Sequence, residues 1–218
     1  MDQIKAKLII RQATVGDAPA IARLSAKVYG KPDAFTRAEI RGQVINFPEG
    51  QFVAEYEGKI VGHCATMVVT ADLAFKPHTW EEISNGGYGR PPAPDGDVLY
   101  GFEVCVDPDY RRLRIGQRLY RKRREVCQNL ELKGIAFAGR MPGYARRRQF
   151  PNPADYVQAV VEKKVRDQVI NFQINEGYEP RSILPDYIPA DRESGGNAVL
   201  MYWTNPLAPR TRARPSRG

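Results

Sequence analysis

The chain has 218 residues, of which 42% are hydrophobic and 27% are charged, a composition typical of a globular protein rather than a disordered, fibrous or membrane protein. A single main domain of this length buries roughly 70% of its unfolded surface, so it needs no disulfide or structural metal. Its three cysteines, Cys64, Cys105 and Cys127, are unclustered, which excludes a disulfide framework and a zinc site. No apolar run reaches ~20 residues and the N-terminus is not typical of a signal peptide, so we expect a cytoplasmic protein.

The net charge of +8 is concentrated in two segments. Residues 110–148 contain thirteen basic and two acidic residues, and the last ten residues contain four arginines and no acidic residue. The rest of the chain carries a net charge of −7. A basic segment within an acidic protein indicates a local anion site and disfavours nucleic acid as a partner.

The first third of the chain predicts a strand, two helices and a hairpin. Residues 7–12 form a short apolar run typical of a strand, and apolar residues recur at helical spacing over 20–28. A weaker helical pattern covers 35–46. Two apolar segments, 51–56 and 59–70, flank a two-residue turn and predict a β-hairpin.

A long loop is predicted at residues 71–97. Four prolines and four glycines in this segment leave room only for a short helix at 80–84. A loop of more than ~15 residues in a compact domain is either functional or disordered. Trp80 and Tyr88 argue against disorder.

The middle of the chain predicts a strand, a helix and a second strand. Residues 98–106 form an apolar strand pattern, and residues 115–132 place apolar side chains on one side of a helix and mostly basic ones on the other. The apolar segment 134–139 completes a β-α-β unit, which implies a parallel strand pair and a right-handed crossover.

The last third of the chain completes the predicted domain. Two helices and two strands are predicted there, at residues 153–165, 167–175, 182–188 and 198–203. We therefore expect one domain over residues 1–205, with 71–97 as a loop insertion and 206–218 as a flexible basic tail.

The basic loop that follows the strand at 98–106 is the most informative segment. A turn there exposes backbone N–H groups, and we expect the next helix to begin at Gly116. The free N–H groups and dipole of a helix start favour an anion, and Arg111, Arg112 and Arg114 surround this one. The pattern predicts a pyrophosphate-binding loop; the alternative is a solvated basic helix end.

The order of elements, with a V-x-P-x-x-R-x-x-x-I-G segment at 106–116, resembles the GNAT superfamily of acyl-CoA-dependent N-acyltransferases. The resemblance covers residues 7–205 and is closest at 98–139. It implies an α/β (α+β) fold with a central mixed sheet of six to seven strands, a splayed fourth and fifth strand, and about four flanking helices. It also implies transfer of an acetyl group from acetyl-CoA to a primary amine of a small molecule or protein, by direct attack in a ternary complex.

The resemblance extends to the binding loop. The family pattern is R/Q-x-x-G-x-G/A, whose amides bind the pyrophosphate of coenzyme A. This sequence keeps the final glycine as Gly116 but has Arg114 in place of the first. With the pantetheine arm along the fourth strand, the implied coenzyme A site consists of Val104, Cys105, Val106, Arg111, Arg112, Leu113, Arg114, Ile115, Gly116 and Gln117.

The family reaction needs a general base, and Glu103 is the best candidate. It is the only acidic residue in its strand, and alternation places it on the face of Gly101 and Cys105. It could act directly or through water. The alternative is a structural carboxylate bonded to a neighbour.

The general acid is harder to assign. Many family members have a tyrosine four residues before the glycine of a late Gly-Phe/Tyr pair, but the corresponding residue before Gly177 is Gln173. Tyr144 and Tyr156 are the candidate substitutes, each alternatively a packing or substrate-contact residue, and Tyr144 is our choice. Catalysis without a dedicated acid is the other alternative, since a thiolate is a tolerable leaving group.

A narrower resemblance concerns the segments at 78–83, 96–101, 113–120, 139–144 and 186–203. They are similar to the GNAT domain that precedes a carbon–nitrogen hydrolase (nitrilase-like) domain in certain bacterial fusion proteins. The chain ends where that hydrolase would begin, so we expect a free-standing relative or an excised domain. The alternative function is a non-catalytic acyl-CoA-binding module that docks on a nitrilase-like hydrolase. Formation of a homodimer is left open.

Overall fold

The computed structural model describes residues 8–209, which form seven strands and seven α-helices. The strands are β1 (Leu8–Gln12), β2 (Phe52–Tyr56), β3 (Lys59–Val69), β4 (Val98–Val106), β5 (Gly134–Gly139), β6 (Glu179–Leu184) and β7 (Ala198–Thr204). The helices are α1 (Ala18–Tyr29), α2 (Arg37–Asn46), α3 (Ala71–Phe75), α4 (Trp80–Ser84), α5 (Ile115–Asn129), α6 (Pro153–Val161) and α7 (Gln168–Asn175).

The seven strands form one mixed sheet in the order β1-β2-β3-β4-β5-β7-β6. β4 and β5 are parallel neighbours, and every other neighbouring pair is antiparallel. This confirms the predicted sheet of six to seven strands and the predicted β4-α5-β5 crossover.

Helices cover both faces of the sheet. α5 and α6 pack on one face, where Leu119 and Tyr156 join the largest buried cluster. α1 and α2 pack on the other face, where Ile21 and Ile40 are fully buried. Because successive strand residues point to opposite faces, the central strands contribute to both clusters.

Side-chain caps explain several helix starts. The Thr36 hydroxyl accepts from the Glu39 amide, and the Glu39 carboxylate accepts from the Thr36 amide at the start of α2. Thr79 and Glu82 repeat this reciprocal arrangement at α4. Such caps satisfy amides that have no partner within the helix.

The loop at 71–97 packs against the sheet and contains α3 and α4. The predicted helix at 80–84 is confirmed as α4, whereas α3 was not predicted. The amides of Ala93 and Asp97 donate to the carbonyls of Val68 and Val69 at the end of β3. The indole Nε1 of Trp80 donates to the carbonyl of Phe102 in β4 at 3.1 Å. The loop therefore supports the central part of β4.

Some boundaries differ from the prediction. α6 ends at Val161 rather than residue 165, and β6 ends at Leu184, because Pro185 cannot donate to a strand ladder. Seven α-helices are present where the resemblance implies about four flanking helices, because the loop 71–97 contains the short helices α3 and α4 and two helices, α6 and α7, follow β5. The proposed tail lies largely at 210–218, outside the described residues. No helix within residues 8–209 is both long and apolar enough to cross a membrane.

Candidate functional site

β4 and β5 pair over only four residues and then separate. Their pairing begins at Val98 and Gly134 and ends at Gly101 and Phe137. Beyond this point β5 still pairs with β7, and β4 still pairs with β3 up to Val106. This confirms the predicted splayed pair. We call the opening between β4 and β5 the strand gap, and Gly101 and Phe137 its apex.

A β-bulge at the apex changes the orientation predicted for Glu103. The register of β3 with β4 shifts by one residue there, which leaves Phe102 as an extra residue in β4. A Cβ on Gly101 would lie 2.7 Å from the guanidinium carbon of Arg123 in α5, whereas the Glu103 carboxylate contacts Tyr29 of α1. The prediction that Glu103 and Gly101 share a face was therefore wrong, because simple alternation fails across a bulge.

The Glu103 side chain lies at the apex and is nearly buried, with 9% of its surface exposed. The Tyr29 hydroxyl donates to its Oε1 at 3.0 Å. Burial raises the pKa of Glu103 to about 7, and the hydrogen bonds from Tyr29 and the Cys105 thiol oppose this rise. A carboxyl with this pKa can accept a proton near neutral pH.

Two other polar side chains lie beside Glu103. His63 of β3 is directly opposite Cys105 of β4. A ring nitrogen of His63, the Sγ atom of Cys105 and a carboxylate oxygen of Glu103 lie within 4.8 Å of one another. Burial lowers the pKa of His63 to about 3 and raises the pKa of the Cys105 thiol well above its usual range. Near neutral pH His63 and Cys105 are therefore uncharged, and Glu103 is the group of this cluster that titrates.

Sequence reasoning missed Tyr29. It is the last residue of α1, and its hydroxyl is positioned by the packing of α1 against β3 and β4. No local pattern marks a tyrosine at this position as a partner of a strand carboxylate. The contact between Tyr29 and Glu103 spans 74 residues of sequence.

The basic loop after β4 ends in a left-handed residue immediately before α5. Residues Pro108–Leu113 form a 3₁₀ helix, and Arg114 then adopts a left-handed conformation with φ 55°. α5 begins at Ile115, one residue before the predicted start at Gly116. Left-handed backbone is easiest for glycine, so Arg114 adopts this conformation at some conformational cost.

The first turn of α5 is open to an anion. Its first intrahelical bond runs from the Arg118 amide to the Arg114 carbonyl, so the amides of Ile115, Gly116 and Gln117 precede the helical ladder. No side chain within residues 8–209 caps this helix start. A Cβ on Gly116 would approach no atom of the described chain closer than 3.4 Å. Free amides at a helix start bind phosphate groups well.

Two contacts fix this loop against the rest of the domain. Lys27 of α1 forms ion pairs with Asp107 and Asp109, each at 2.6 Å. Gly62 of β3 allows the helix start to approach the sheet, because a Cβ there would lie 2.8 Å from Cγ2 of Ile115. Both contacts join residues far apart in the chain, so sequence patterns could not reveal them.

The arginines of the loop are exposed near the helix start. Arg111, Arg112 and Arg114 are all exposed, whereas Lys122 and Arg124 farther along α5 pair with Glu125 and Glu176. The positive charges closest to the free amides therefore face solvent.

The predicted pantetheine-binding residues lie in β4 beyond the apex. Val104 and Val106 are half-buried and pack on the α5 face, and Cys105 is buried on the α1 face. Their strand pairs with β3 on one side, while the edge toward β5 borders the strand gap. The backbone along this edge is where an extended ligand could add hydrogen bonds.

Sequence reasoning also missed Arg123, which is 2% exposed. Its Nη2 donates to the carbonyl of Glu103 at 2.7 Å, and its Nε donates to the sulfur of Cys64 at 3.0 Å. The spacing contained a signal, because Arg123 stands four residues after Leu119 and four before Cys127, on the buried side of α5. The arginine therefore lines the strand gap instead of facing solvent.

The two tyrosines considered as general acids pack against each other. Tyr156 is fully buried and donates its hydroxyl to Asp167 at 2.7 Å, which makes it a packing residue. The ring of Tyr144 lies 5.5 Å from that of Tyr156, centroid to centroid. None of the hydrogen bonds found within residues 8–209 joins Tyr144 to Glu103.

His78 belongs to a buried network under the loop. Its Nδ1 lies 2.7 Å from the carbonyl of Lys76, which can only accept, so Nδ1 carries the proton. Its Nε2 then accepts from the Tyr100 hydroxyl at 2.8 Å, and the Tyr187 hydroxyl lies 3.3 Å from the Tyr100 hydroxyl. This network fixes the loop to β4 on the α4 side.

Comparison with protein families defines the class of this protein. Residues 19–150 match the family model described as Acetyltransferase (GNAT) family. The match covers more than half of the chain, and it agrees with the sheet order, the strand gap and the loop before α5. The chain belongs to the GNAT acetyltransferase family.

Two curated relatives come from Bacillus subtilis (strain 168). The chain is 35% identical over 205 residues to a protein named "Probable hydrolase YhcX", covering 94% of this chain and 40% of that relative. It is 28% identical over 202 residues to "Uncharacterized N-acetyltransferase YkwB", covering 91% of this chain and 89% of that one. The chain thus spans less than half the length of the first relative.

A solved structure with a similar fold is described as the GphF GNAT-like decarboxylase in complex with isobutyryl-CoA. The two structures superpose with a TM-score of 0.78 at 23% sequence identity. The superposition covers 90% of this chain and 99% of the GphF chain. At this identity the likeness supports the fold alone.

Proposed function

We propose that this protein is an N-acetyltransferase that moves an acetyl group from acetyl-CoA to a primary amine of a small molecule or protein. The observation that carries the proposal is the nearly buried Glu103, with a pKa of about 7, at the apex of the strand gap in a GNAT fold. Family membership supports a coenzyme A thioester as the donor.

The proposed donor site begins at the first turn of α5. The free amides of Ile115, Gly116 and Gln117 would bind the pyrophosphate, with the exposed side chains of Arg111, Arg112 and Arg114 neutralising its charge. Leu113 completes the loop. The pantetheine arm would then lie along the backbone of Val104, Cys105 and Val106, which brings the thioester to the apex.

The proposed chemistry is direct attack by the amine nitrogen on the thioester carbonyl carbon. Glu103 accepts the proton that the ammonium form must lose, directly or through one water molecule. A backbone N–H at the β4 edge stabilises the oxyanion, and the carbon–sulfur bond then breaks to release the thiolate. Holding both substrates in one gap supplies the orientation that a direct transfer needs.

For Tyr144 we propose the role of proton donor to the departing thiolate. Its support is its position shortly after β5 and the absence of a tyrosine at Gln173. Replacement of Tyr144 by Phe tests this role, because loss of a proton donor lowers kcat while binding of coenzyme A persists.

A second candidate function is a non-catalytic acyl-CoA-binding or docking module that works with a nitrilase-like hydrolase. Similarity to the relative named as a probable hydrolase favours this second function. The match covers 94% of this chain but only 40% of that relative, so the relative contains a further region that this chain does not match. A module of this kind would bind coenzyme A without turnover.

The first experiment measures thiol release from acetyl-CoA over a panel of primary amines. We expect amine-dependent release by the wild-type protein, a decrease of roughly 10²- to 10⁴-fold for Glu103→Gln, and no decrease for the exposed control Glu49→Gln. Coenzyme A binding without release for any amine would favour the docking module. Equal rates for wild type and Glu103→Gln would contradict the role of Glu103.

A further inference from the structure

Arg123 is a buried cation without an acidic partner at bonding distance. It is 2% exposed and is one of the largest fully buried side chains. The ion pairs found within residues 8–209 do not include it, although fourteen other contacts of this kind are present. Arginine cannot release its proton in a protein, and a buried charge without a counter-ion is costly. The rings of Tyr120 and Phe137, whose centroids lie 5.2 and 5.7 Å from the guanidinium carbon, offset part of this cost, and a bound anion would offset more.

The guanidinium of Arg123 lies at the apex of the strand gap. Its carbon would be 2.7 Å from a Cβ on Gly101, which shows how closely it packs on the last residue of β4 that pairs with β5. It also lies 5.7 Å from the ring centroid of Phe137, the corresponding last residue of β5. The cation therefore marks the point where β4 and β5 separate.

Arg123 is well removed from the proposed pyrophosphate site. It stands eight residues after Ile115 in α5, which corresponds to roughly 12 Å along a helix with a rise of about 1.5 Å per residue. A phosphate group at the helix start is therefore too far away to neutralise it. The group closest to Arg123 in the proposed complex is the acyl end of the donor.

Hydrogen-bond donors remain around this cation. Of the guanidinium nitrogens, Nε bonds to Cys64 and Nη2 to the Glu103 carbonyl, and Nη1 takes part in neither bond. The hydroxyl of Tyr178 is buried and has no partner in the described chain. Its ring packs on Phe137, with centroids 4.7 Å apart, so it belongs to the same cluster.

We propose that the preferred acyl donor carries a carboxylate on its acyl group, as in a malonyl or succinyl thioester, and that Arg123 and Tyr178 bind this carboxylate. The inference rests on the proposed thioester site in the strand gap, and it replaces acetyl-CoA as the preferred donor, because an acetyl group carries no carboxylate. A carboxylate places a negative charge in direct contact with Arg123, which Glu103 influences only from beyond ion-pair distance, and it accepts the hydrogen bonds of Nη1 and the Tyr178 hydroxyl. The Glu103 carboxyl lies on the α1 face, where it bonds to Tyr29 instead.

The test is titration calorimetry of the full chain with coenzyme A, acetyl-CoA, acetoacetyl-CoA and malonyl-CoA. Acetoacetyl-CoA is the matched control, because it has a methyl group where malonyl-CoA has a charged oxygen. We expect malonyl-CoA to bind at least about tenfold more tightly than acetoacetyl-CoA, as a charge-assisted contact with a buried guanidinium requires. Equal affinities for this pair would overturn the proposal.

Two variants locate the effect. Arg123→Met keeps a long side chain that suits an apolar site, and we expect it to remove the preference for malonyl-CoA while coenzyme A binding is retained. Tyr178→Phe is nearly isosteric and should reduce the preference by roughly threefold or more. A preference that survives in both variants would contradict the assignment, and Tyr178→Phe still tests it if Arg123→Met does not fold.

The outcomes separate this inference from the proposed function. If no coenzyme A compound binds, the thioester site itself is absent and the proposed function fails. If all bind with equal affinity, the thioester site stands and the carboxylate preference fails. If acetyl-CoA binds more tightly than malonyl-CoA, Arg123 instead serves the neutral thioester, and the inference is contradicted.

Discussion

Glu103 combines a cost in stability with the role of general base that we propose for it. Its carboxyl is nearly buried at the strand gap, and burial rather than a neighbouring acid is the main cause of its raised pKa. The Tyr29 hydroxyl and the charge of Arg123 limit the rise. The balance leaves a group that changes its protonation state close to neutral pH, as a general base in this position needs.

Replacing Tyr29 by Phe should raise the pKa of Glu103, because the Tyr29 hydroxyl stabilises its ionised form. We expect the rising limb of the profile of kcat/KM against pH to move upward by about one pH unit, equivalent to about 1.4 kcal/mol. The measurement is thiol release with one amine from about pH 5.5 to about pH 9. An unshifted limb would show that this hydrogen bond does not tune the base.

The free energy of unfolding of Glu103→Gln should increase relative to that of wild type as the pH rises. The pKa of Glu103 is about 7 in the folded protein and 4.5 in the unfolded chain. Between these pH values the folded state binds the proton more tightly than the unfolded chain does. Wild type therefore loses stability as the pH rises from 4.5 to about 7. The loss amounts to roughly 3 kcal/mol at about 1.4 kcal/mol per pH unit.

Urea unfolding at about pH 5 and about pH 8 measures this effect. The advantage of Glu103→Gln over wild type should grow between the two pH values, while Glu49→Gln, an exposed control, should show no such growth. A difference that is constant with pH would mean that Glu103 has an ordinary pKa.

At the scale of elements, the loop before α5 depends on close packing that only glycine permits. Gly62 of β3 faces Ile115 and Leu119 of α5, and a Cβ on Gly62 would approach them to 2.8 and 3.4 Å. The same helix start has Gly116, where a Cβ would make ordinary van der Waals contact with the Phe172 ring at 3.4 Å. One glycine therefore sets the position of the helix, whereas the other position can accept a methyl group.

The variants Gly62→Ala and Gly116→Ala should have opposite effects on stability, and only Gly62→Ala should weaken binding. Gly62→Ala forces α5 away from β3, and we expect it to lose about 1 to 3 kcal/mol of stability. Gly116→Ala improves helix propensity and should gain up to about 1 kcal/mol. Gly62→Ala should weaken coenzyme A binding because it moves the helix start, whereas Gly116→Ala should bind as wild type does, because the family pattern allows alanine at this position. Calorimetry beside urea unfolding measures both effects, and weaker binding by Gly116→Ala would contradict this expectation.

The same elements show what sequence patterns could reveal. The strand at 98–106, the basic loop and the helix after it were predictable, because strand length, helical spacing and the loop motif are local. The orientation of Glu103 was not, because it depends on the bulge at Phe102, which arises only from pairing with β3. The contacts of Tyr29 and Arg123 with β4 likewise required the packing of three elements.

At the scale of the whole molecule, charge is segregated rather than spread. The segment 110–148 carries +11, and its exposed arginines surround the start of α5, while the acidic residues of the remainder hold parts of the fold together. Lys27 with Asp107, and Arg140 with Asp191, are examples of such ion pairs. We expect this distribution to attract a small anion to the start of α5.

Calorimetric titration of coenzyme A tests the proposed donor site most directly. The titration compares wild type with two loop variants, Arg111→Ala and Arg114→Glu, and the unfolding free energy of each protein is measured in parallel. We expect wild type to bind coenzyme A, each variant to lose affinity by no more than a few kcal/mol, and Arg111→Ala to remain as stable as wild type. Absence of binding by wild type, or dissociation constants unchanged in both variants, would contradict the proposed site.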